Sequence, residues 1–179
     1  MKKYDIIYAD PPWQYKDKAM SGKRGVHFKY PVMNISDICK LDVQNICSDN
    51  CILFLWSTPP LIKDAFKVID AWGFEYKTKG FCWVKYNRNI FSVFMGMGNY
   101  SRSNTEDCLL GVKGKPKRLN ADVRQLIQHP IMKHSMKPPE TRDRIVRLMG
   151  DIPRIELFSR QKTPGWDVWG NEVKSDITL

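Results

Sequence analysis

Residues 4–13, YDIIYADPPW, decide the fold. The run Tyr4–Ala9 is rich in isoleucine and tyrosine, the residue types that pack on a pleated, buried surface. Asp10-Pro11-Pro12 must end that strand, because proline has no N–H to give to a ladder. A buried strand that stops at a carboxylate suits an open α/β sheet, where ligands bind at the carboxyl ends of the strands. Asp10, Pro11, Pro12 and Trp13 together combine an acceptor, a stiff turn and a large flat ring. That set can grip a planar base carrying an amino group. Two readings of Trp13 are open here, a ring that stacks on the base or a core residue behind a tight turn.

Working outward, residues 14–33 carry lysines, an arginine and glycines with little periodicity and read as a loop over the strand's end. Ser36 caps a short helix running to about Cys47. Residues 51–56 (CILFLW) form a continuous apolar run, as expected of a central strand covered on both faces. Pro59 and Pro60 open a helix in which Leu61, Ile62, Ala65, Phe66, Ile69 and Trp72 recur at helical spacing, and Gly73 stops it. Residues 74–84 read as a strand bent near Gly80, and residues 87–102 as a second loop. A strand over 107–112 precedes an irregular basic stretch, 113–137. The spacing predicts a helix over 138–149 and a short strand over 154–158. Strands alternating with helices predict a doubly wound α/β sheet. No linker or internal repeat interrupts the chain, so residues 1–179 read as one domain.

With hydrophobic residues at 42% and aromatics at 12%, the composition excludes a chiefly disordered chain. No apolar run approaches the roughly 20 residues that span a bilayer, and the amino terminus shows no signal-peptide core, so the expected location is cytoplasmic with no membrane partner. The cysteines (39, 47, 51, 82, 108) form no CxxC pair, and His27, His129 and His134 have no ligand spacing, so no metal is expected. Twenty-nine basic against nineteen acidic residues give a formal charge of +10, which suits a polyanion such as nucleic acid as well as it suits solubility. Lys113, Lys115, Lys117 and Arg118 (KGKPKR) read either as a phosphate-gripping loop or as a solvated charged turn.

The chemistry of the first motif can be taken further. A purine's exocyclic amino nitrogen is a poor nucleophile because its lone pair is delocalised into the ring. The Asp10 carboxylate and a backbone carbonyl such as that of Pro11 can bond both amino hydrogens. Those bonds favour the pyramidal nitrogen and stabilise the charge that develops during attack. Near the other end, Arg160, Asn171 and Glu172 follow a strand. They suit a carboxylate and ribose hydroxyls, or else form a polar turn.

These motifs come in an order that carries a resemblance. YDIIYADPPW at 4–13 is followed by LFLW at 53–56, WGF at 72–74, WVK at 83–85 and EDCLLGVKG at 106–114. Lys137-Pro138 and ELFSRQKTPGWDVWGNE at 156–172 complete the set. It resembles the adenine-N6 methyltransferases of the METTL/Ime type, the MT-A seventy family, over nearly the whole chain. The resemblance implies a Rossmann-like methyltransferase sheet, circularly permuted so that the catalytic motif precedes the cofactor motif. It implies S-adenosyl-L-methionine as methyl donor and a flipped-out adenine as acceptor. DNA is the favoured polymer, from likeness to the small bacterial and phage branch. RNA, or a catalytically silent nucleic-acid-binding subunit, is the alternative. Pairing into a homodimer is also implied.

Carried over by the resemblance, Asp10, Pro11, Pro12 and Trp13 form the catalytic pocket. Asp10, Lys137, Phe158, Arg160, Asn171 and Glu172 hold the cofactor. Tyr30, Asn104 and Glu106 lie at the target base, joined in the substrate set by Lys113, Lys115, Lys117 and Arg118.

Overall fold

The computed structural model describes residues 2–14, 32–90, 92–98, 100–132 and 136–179. Seven strands form one sheet: β1 (Tyr4–Ala9), β2 (Cys47–Ser57), β3 (Glu75–Tyr86), β4 (Thr105–Lys113), β5 (Leu126–Pro130), β6 (Arg154–Leu157) and β7 (Asp167–Trp169). Their spatial order is β5-β3-β4-β2-β1-β6-β7. β4 is antiparallel to both of its neighbours, and every other pair is parallel. The result is a mixed α/β fold with a mostly parallel sheet.

The side-chain alternation of the central strands explains why both faces are covered. On β2, Cys51, Leu53 and Leu55 face one cluster, which also holds Ile38 of α1 (Ile35–Cys39) and Ala65, Val68 and Ile69 of α2 (Ile62–Ala71). Ile52, Phe54 and Trp56 face the other, with Ile145 and Met149 of α3 (Glu140–Met149). β1 divides in the same way, Ile7 and Ala9 on one side and Ile6 and Tyr8 on the other. Each such fully buried isoleucine, leucine, valine or phenylalanine contributes about 1.5–3 kcal/mol through removal of apolar surface from water.

α2 ends as its sequence predicts. Gly73 adopts φ 75°, and the Phe74 and Gly73 amides donate to the Ile69 and Asp70 carbonyls at 3.0 Å each, closing the helix with a left-handed glycine. The bend expected near Gly80 is a pair of register shifts in the β3–β4 ladder, at Tyr76/Thr78 and Lys79/Phe81. The helix expected from Ser36 to Cys47 is shorter. Asn34, not Ser36, caps α1, accepting from the Asp37 amide at 2.9 Å. Cys47 already belongs to β2.

Two strands escape the sequence reading. β5 lies inside the stretch expected to be irregular; it is an edge strand in which only Ile127 is fully buried, so no alternation marks it. β7 has three residues, too few for a period to show. Among the described residues no helix is long and apolar enough to cross a membrane, and no group of residues has the make-up of a metal site.

Candidate active site

Because six strands point the same way, their carboxyl ends line one edge of the sheet. The register fixes who sits beside whom there. Ala9 pairs with Leu157, and Leu157 with Trp169, so the residues that follow, Asp10, Phe158 and Gly170, leave three adjacent strands side by side. With about 4.8 Å between strands, Gly170 starts roughly 10 Å from Asp10. β4 runs the other way and brings its first residues, not its last, to this edge; there Trp83 of β3 pairs with Glu106.

At this edge four charges alternate in a chain. Lys137, just before α3, places Nζ 2.7 Å from Asp10 Oδ2 and 3.3 Å from Glu106 Oε2. Lys85 of β3 donates to the other Glu106 oxygen, Oε1, at 2.5 Å. Side-chain exposure is 11% for Lys137, 15% for Glu106, 18% for Lys85 and 26% for Asp10, so the pairs are screened far less than surface ones. Burial pushes the Asp10 carboxyl above its ordinary value, against the pull of Lys137. Burial pushes Glu106 the same way, but two ammoniums outweigh it and hold that carboxyl below the ordinary range. For Lys137, burial favours the neutral amine, yet Asp10 and Glu106 together keep it raised and charged. Of the two carboxylates flanking Lys137, Asp10 is the nearer to protonation.

Trp56, fully buried, organises the floor. Its carbonyl accepts from the Trp13 indole at 3.1 Å, its own indole donates to the Tyr8 hydroxyl at 2.7 Å, and its ring lies 5.6 Å from Lys137 Nζ. Beneath it, Arg142 of α3 grips Glu156 of β6 through two bonds of 2.7 and 2.6 Å, with its guanidinium 5.7 Å from the Tyr8 ring. Helix α3, which carries Lys137 on its lead-in, is thereby locked to the strand beside β1.

The Asp-Pro-Pro turn is tight. The Trp13 amide donates back to the Pro11 carbonyl at 2.8 Å across Pro12, whose fixed φ suits such a three-residue turn. The Met33 amide takes the Pro12 carbonyl at 2.9 Å. The Pro11 oxygen keeps a second lone pair. Of the two readings of Trp13, the structure favours the core one: the ring is 5% exposed and its N–H is satisfied from behind. Trp13 thus walls the turn from behind.

On the opposite flank Phe158 adopts φ 62°, rare outside glycine, and sets its ring 5.3 Å from that of Trp169. Such a conformation costs on the order of 1–3 kcal/mol and is typically kept at functional sites. The Ser159 amide donates to the Trp169 carbonyl at 2.9 Å, and a Cβ on Gly170 would lie 2.2 Å from the Ser159 oxygen, so the two strand ends are pressed together. Arg160 Nε donates to Glu172 Oε1 at 2.8 Å, and Asn171 is exposed beside them. The chemistry of this set fits S-adenosylmethionine: amide and carboxylate for ribose hydroxyls, guanidinium and ammonium for a carboxylate, Phe158 and Trp169 for an apolar wall.

The structure thus gathers Asp10, Pro11, Pro12, Glu106, Lys137, Phe158, Arg160, Asn171 and Glu172 at one edge. Asn104 joins them through its carbonyl, which accepts from the Lys85 amide at 2.8 Å. Tyr30 lies outside the described residues. Lys113, Lys115, Lys117 and Arg118 are not brought there. Lys113 pairs with Cys51 at the start of β2, and the Lys115 amide bonds Asn50 Oδ1 at 2.7 Å. Lys113 lies six residue steps along β4 from Asp107, so this loop sits about 20 Å away on the far edge. Sequence reasoning assigned no role to Lys85 or Trp56. Their signal is only that each is the last but one residue of a strand beside a site residue, which needs the pairing to be known.

The MT-A70 family profile matches residues 4–172. The type II methyltransferase M.MunI of Mycoplasma sp is 38% identical over 190 aligned residues, 96% of this chain and 78% of that protein. The human N(6)-adenine-specific methyltransferase METTL4 is 30% identical over 96% of this chain and 38% of its own length. The human N(6)-adenosine-methyltransferase catalytic subunit METTL3 is 29% identical, again over 96% of this chain but only 28% of its own length. The aspartate-lysine edge and the segment that closes it fall within the matched region, and the chain belongs to the MT-A70 family of adenine methyltransferases.

Proposed function

We propose that this chain transfers a methyl group from S-adenosylmethionine to the N6 amino group of adenine in DNA. The observation that carries the reading is Asp10, held by Lys137 at the carboxyl end of β1 and flanked by the strand-end segment of Phe158, Arg160, Asn171 and Glu172. The cofactor supplies an electrophilic methyl carbon on a sulfonium. Everything else falls to the chain. The Asp10 carboxylate, one of whose lone pairs is used by Lys137, accepts a hydrogen of the adenine amino group, and the Pro11 carbonyl accepts the second. Both bonds strengthen as the nitrogen becomes positive, which is how fixed acceptors lower a barrier. Asp10 is then placed to take the proton that the methylated nitrogen sheds. Arg160 and Glu172, Asn171 and Phe158 orient the donor. Arg160–Glu172 is exposed, and such pairs stabilise a fold by at most about 1 kcal/mol, so it can rearrange on a ligand at little cost.

DNA is favoured because M.MunI, the relative at 38%, is named a type II methyltransferase, a class of DNA-modifying enzymes. The charge of +10 suits a polyanion. An adenine inside a duplex must be extruded to reach Asp10, at a cost of a few kcal/mol. The sheet, with helices on both faces, supports a doubly wound, circularly permuted methyltransferase domain, catalytic strand first and donor segment last. Sedimentation with and without duplex tests our further reading that two copies form the active unit.

The deciding experiment is incubation of the protein with cofactor and either DNA or RNA, followed by digestion and nucleoside mass spectrometry. N6-methyldeoxyadenosine that disappears in Asp10→Ala is the expected result. Methylation of RNA alone moves the assignment to that polymer. No methyladenine in either, or a fully active Asp10→Ala, overturns it.

A further inference from the structure

We propose that Lys85 is a positioning residue for methyl transfer: by holding one oxygen of Glu106 it leaves Lys137 to lean on Asp10. The inference rests on the function proposed above. Its geometry is the four-charge chain. Lys137 is shared between two carboxylates, but unequally, 2.7 Å from Asp10 against 3.3 Å from Glu106. The shorter distance goes to the carboxylate that carries no other ammonium among the described residues. Glu106 can yield because its other oxygen is met by Lys85 at 2.5 Å. Lys85 is itself held in place. Its ammonium lies 5.1 Å from the Trp83 ring, its amide donates to the Asn104 carbonyl at 2.8 Å, and its carbonyl accepts from the Phe94 amide at 2.8 Å.

Removal of the Lys85 charge leaves two buried carboxylates competing for one ammonium. Lys137 is then drawn toward Glu106, and Asp10 faces an uncompensated negative neighbour. Both effects favour the protonated acid at Asp10. The other charged groups around Asp10 do not correct this. Glu156 of β6 is neutralised by Arg142 of α3, Cys108 of β4 is a buried thiol pushed well above its usual range, and Asp107 of β4 is paired with Lys79 at 2.9 Å. His129, the β5 partner of Lys85 in the ladder, spends Nδ1 near the Pro130 carbonyl. Asp10 is the stronger acceptor, and can take the proton the methylated nitrogen sheds, only when ionised, so the state of Lys85 reaches the reaction through Glu106 and Lys137 without touching the substrate.

The test compares Lys85→Met, which keeps the stem's bulk, with Lys85→Arg, which keeps the charge. Two readouts are taken across pH: the rate constant for methyl transfer under saturating cofactor and DNA, and the titration of the Asp10 carboxyl by 13C NMR, assigned with Asp10→Asn. Lys85→Met is expected to move the Asp10 titration and the acid limb of the rate profile upward together, by about one pH unit, with roughly tenfold loss on that limb. Lys85→Arg is expected to restore both. A rate lowered by the same factor at every pH, or an unmoved Asp10 titration, overturns the proposal. If the wild type labels no adenine while the Asp10 titration still moves in Lys85→Met, the assigned reaction fails and the charge coupling stands.

Discussion

Asp10 is a carboxylate that the fold makes uncomfortable, and that discomfort is measurable in two opposite ways. Its carboxyl is raised by burial, so the ionised form, which is the stronger acceptor and the one able to take up the shed proton, is lost as pH falls through the raised value. The acid limb of the rate profile should therefore lie above the ordinary aspartate range, and a limb near the model-peptide value would contradict the assignment. Stability runs the other way. The folded chain holds this proton more tightly than the unfolded one, so the group favours folding at low pH and its contribution declines as pH rises between the two values. Asp10→Asn should consequently lower transfer by at least about a hundredfold, with the far-ultraviolet circular dichroism of the wild type retained. A variant that keeps wild-type transfer would remove Asp10 from the reaction. At this scale the sequence was legible where a residue's neighbours follow from chain order: Asp10 after β1, Arg160 after β6. It was silent on Lys85, because the contact with Glu106 depends on the β3–β4 register, and that register slips twice around Gly80. It also left Trp13 undecided, because a large ring after a proline turn is compatible with both wall and platform until burial is known.

The elements at the reactive edge are held by few but short-range constraints, one of them between β6 and β7. Gly170 has no room for a side chain against the Ser159 carbonyl, and the Ser159 amide completes that contact. Gly170→Ala should splay the two strand ends and displace Asn171 and Glu172, which follow directly. Calorimetry should show cofactor binding weakened by about tenfold or more, with far-ultraviolet circular dichroism unchanged, since the misfit is steric and local. Binding equal to the wild type would remove the segment from the donor site. β7 is also, with β5, one of the two strands that chain reading could not find, since three residues between turns carry no period. β1, β2 and α2 were readable for the converse reason. Each has enough residues for burial on one or both faces to leave its mark on the pattern, and Gly73 punctuates the helix.

Two groups of basic residues stand at opposite edges of the sheet. Lys85 and Lys137 are spent internally on carboxylates, whereas Lys113, Lys115, Lys117 and Arg118 stand on the edge away from Asp10. On a single-stranded substrate of about six nucleotides, a length typical of a small binding groove, Lys113, Lys115 and Lys117 changed together to alanine should leave kcat/KM within about twofold of the wild type. A tenfold loss on so short a substrate would place that loop at the reactive centre after all. Formal charge was readable from composition; its division between edges was not, because it follows from β4 running against its neighbours.

That reversed strand has one more consequence. Every parallel connection must carry the chain back across the sheet, but β3 ends and β4 begins at the same edge, so the connection between them leaves and re-enters beside Asp10 and Glu106. Met95, Met97 and Tyr100 stand exposed on this connection, and Gly96 and Gly98 lie against the Ser103 and Ser101 carbonyls. A hairpin of this kind can be lengthened, shortened or exchanged without rethreading the core. Under the proposed function, changes in this hairpin are expected to alter which nucleotides around the adenine are tolerated, with Asp10, Glu106 and Lys137 left where they are.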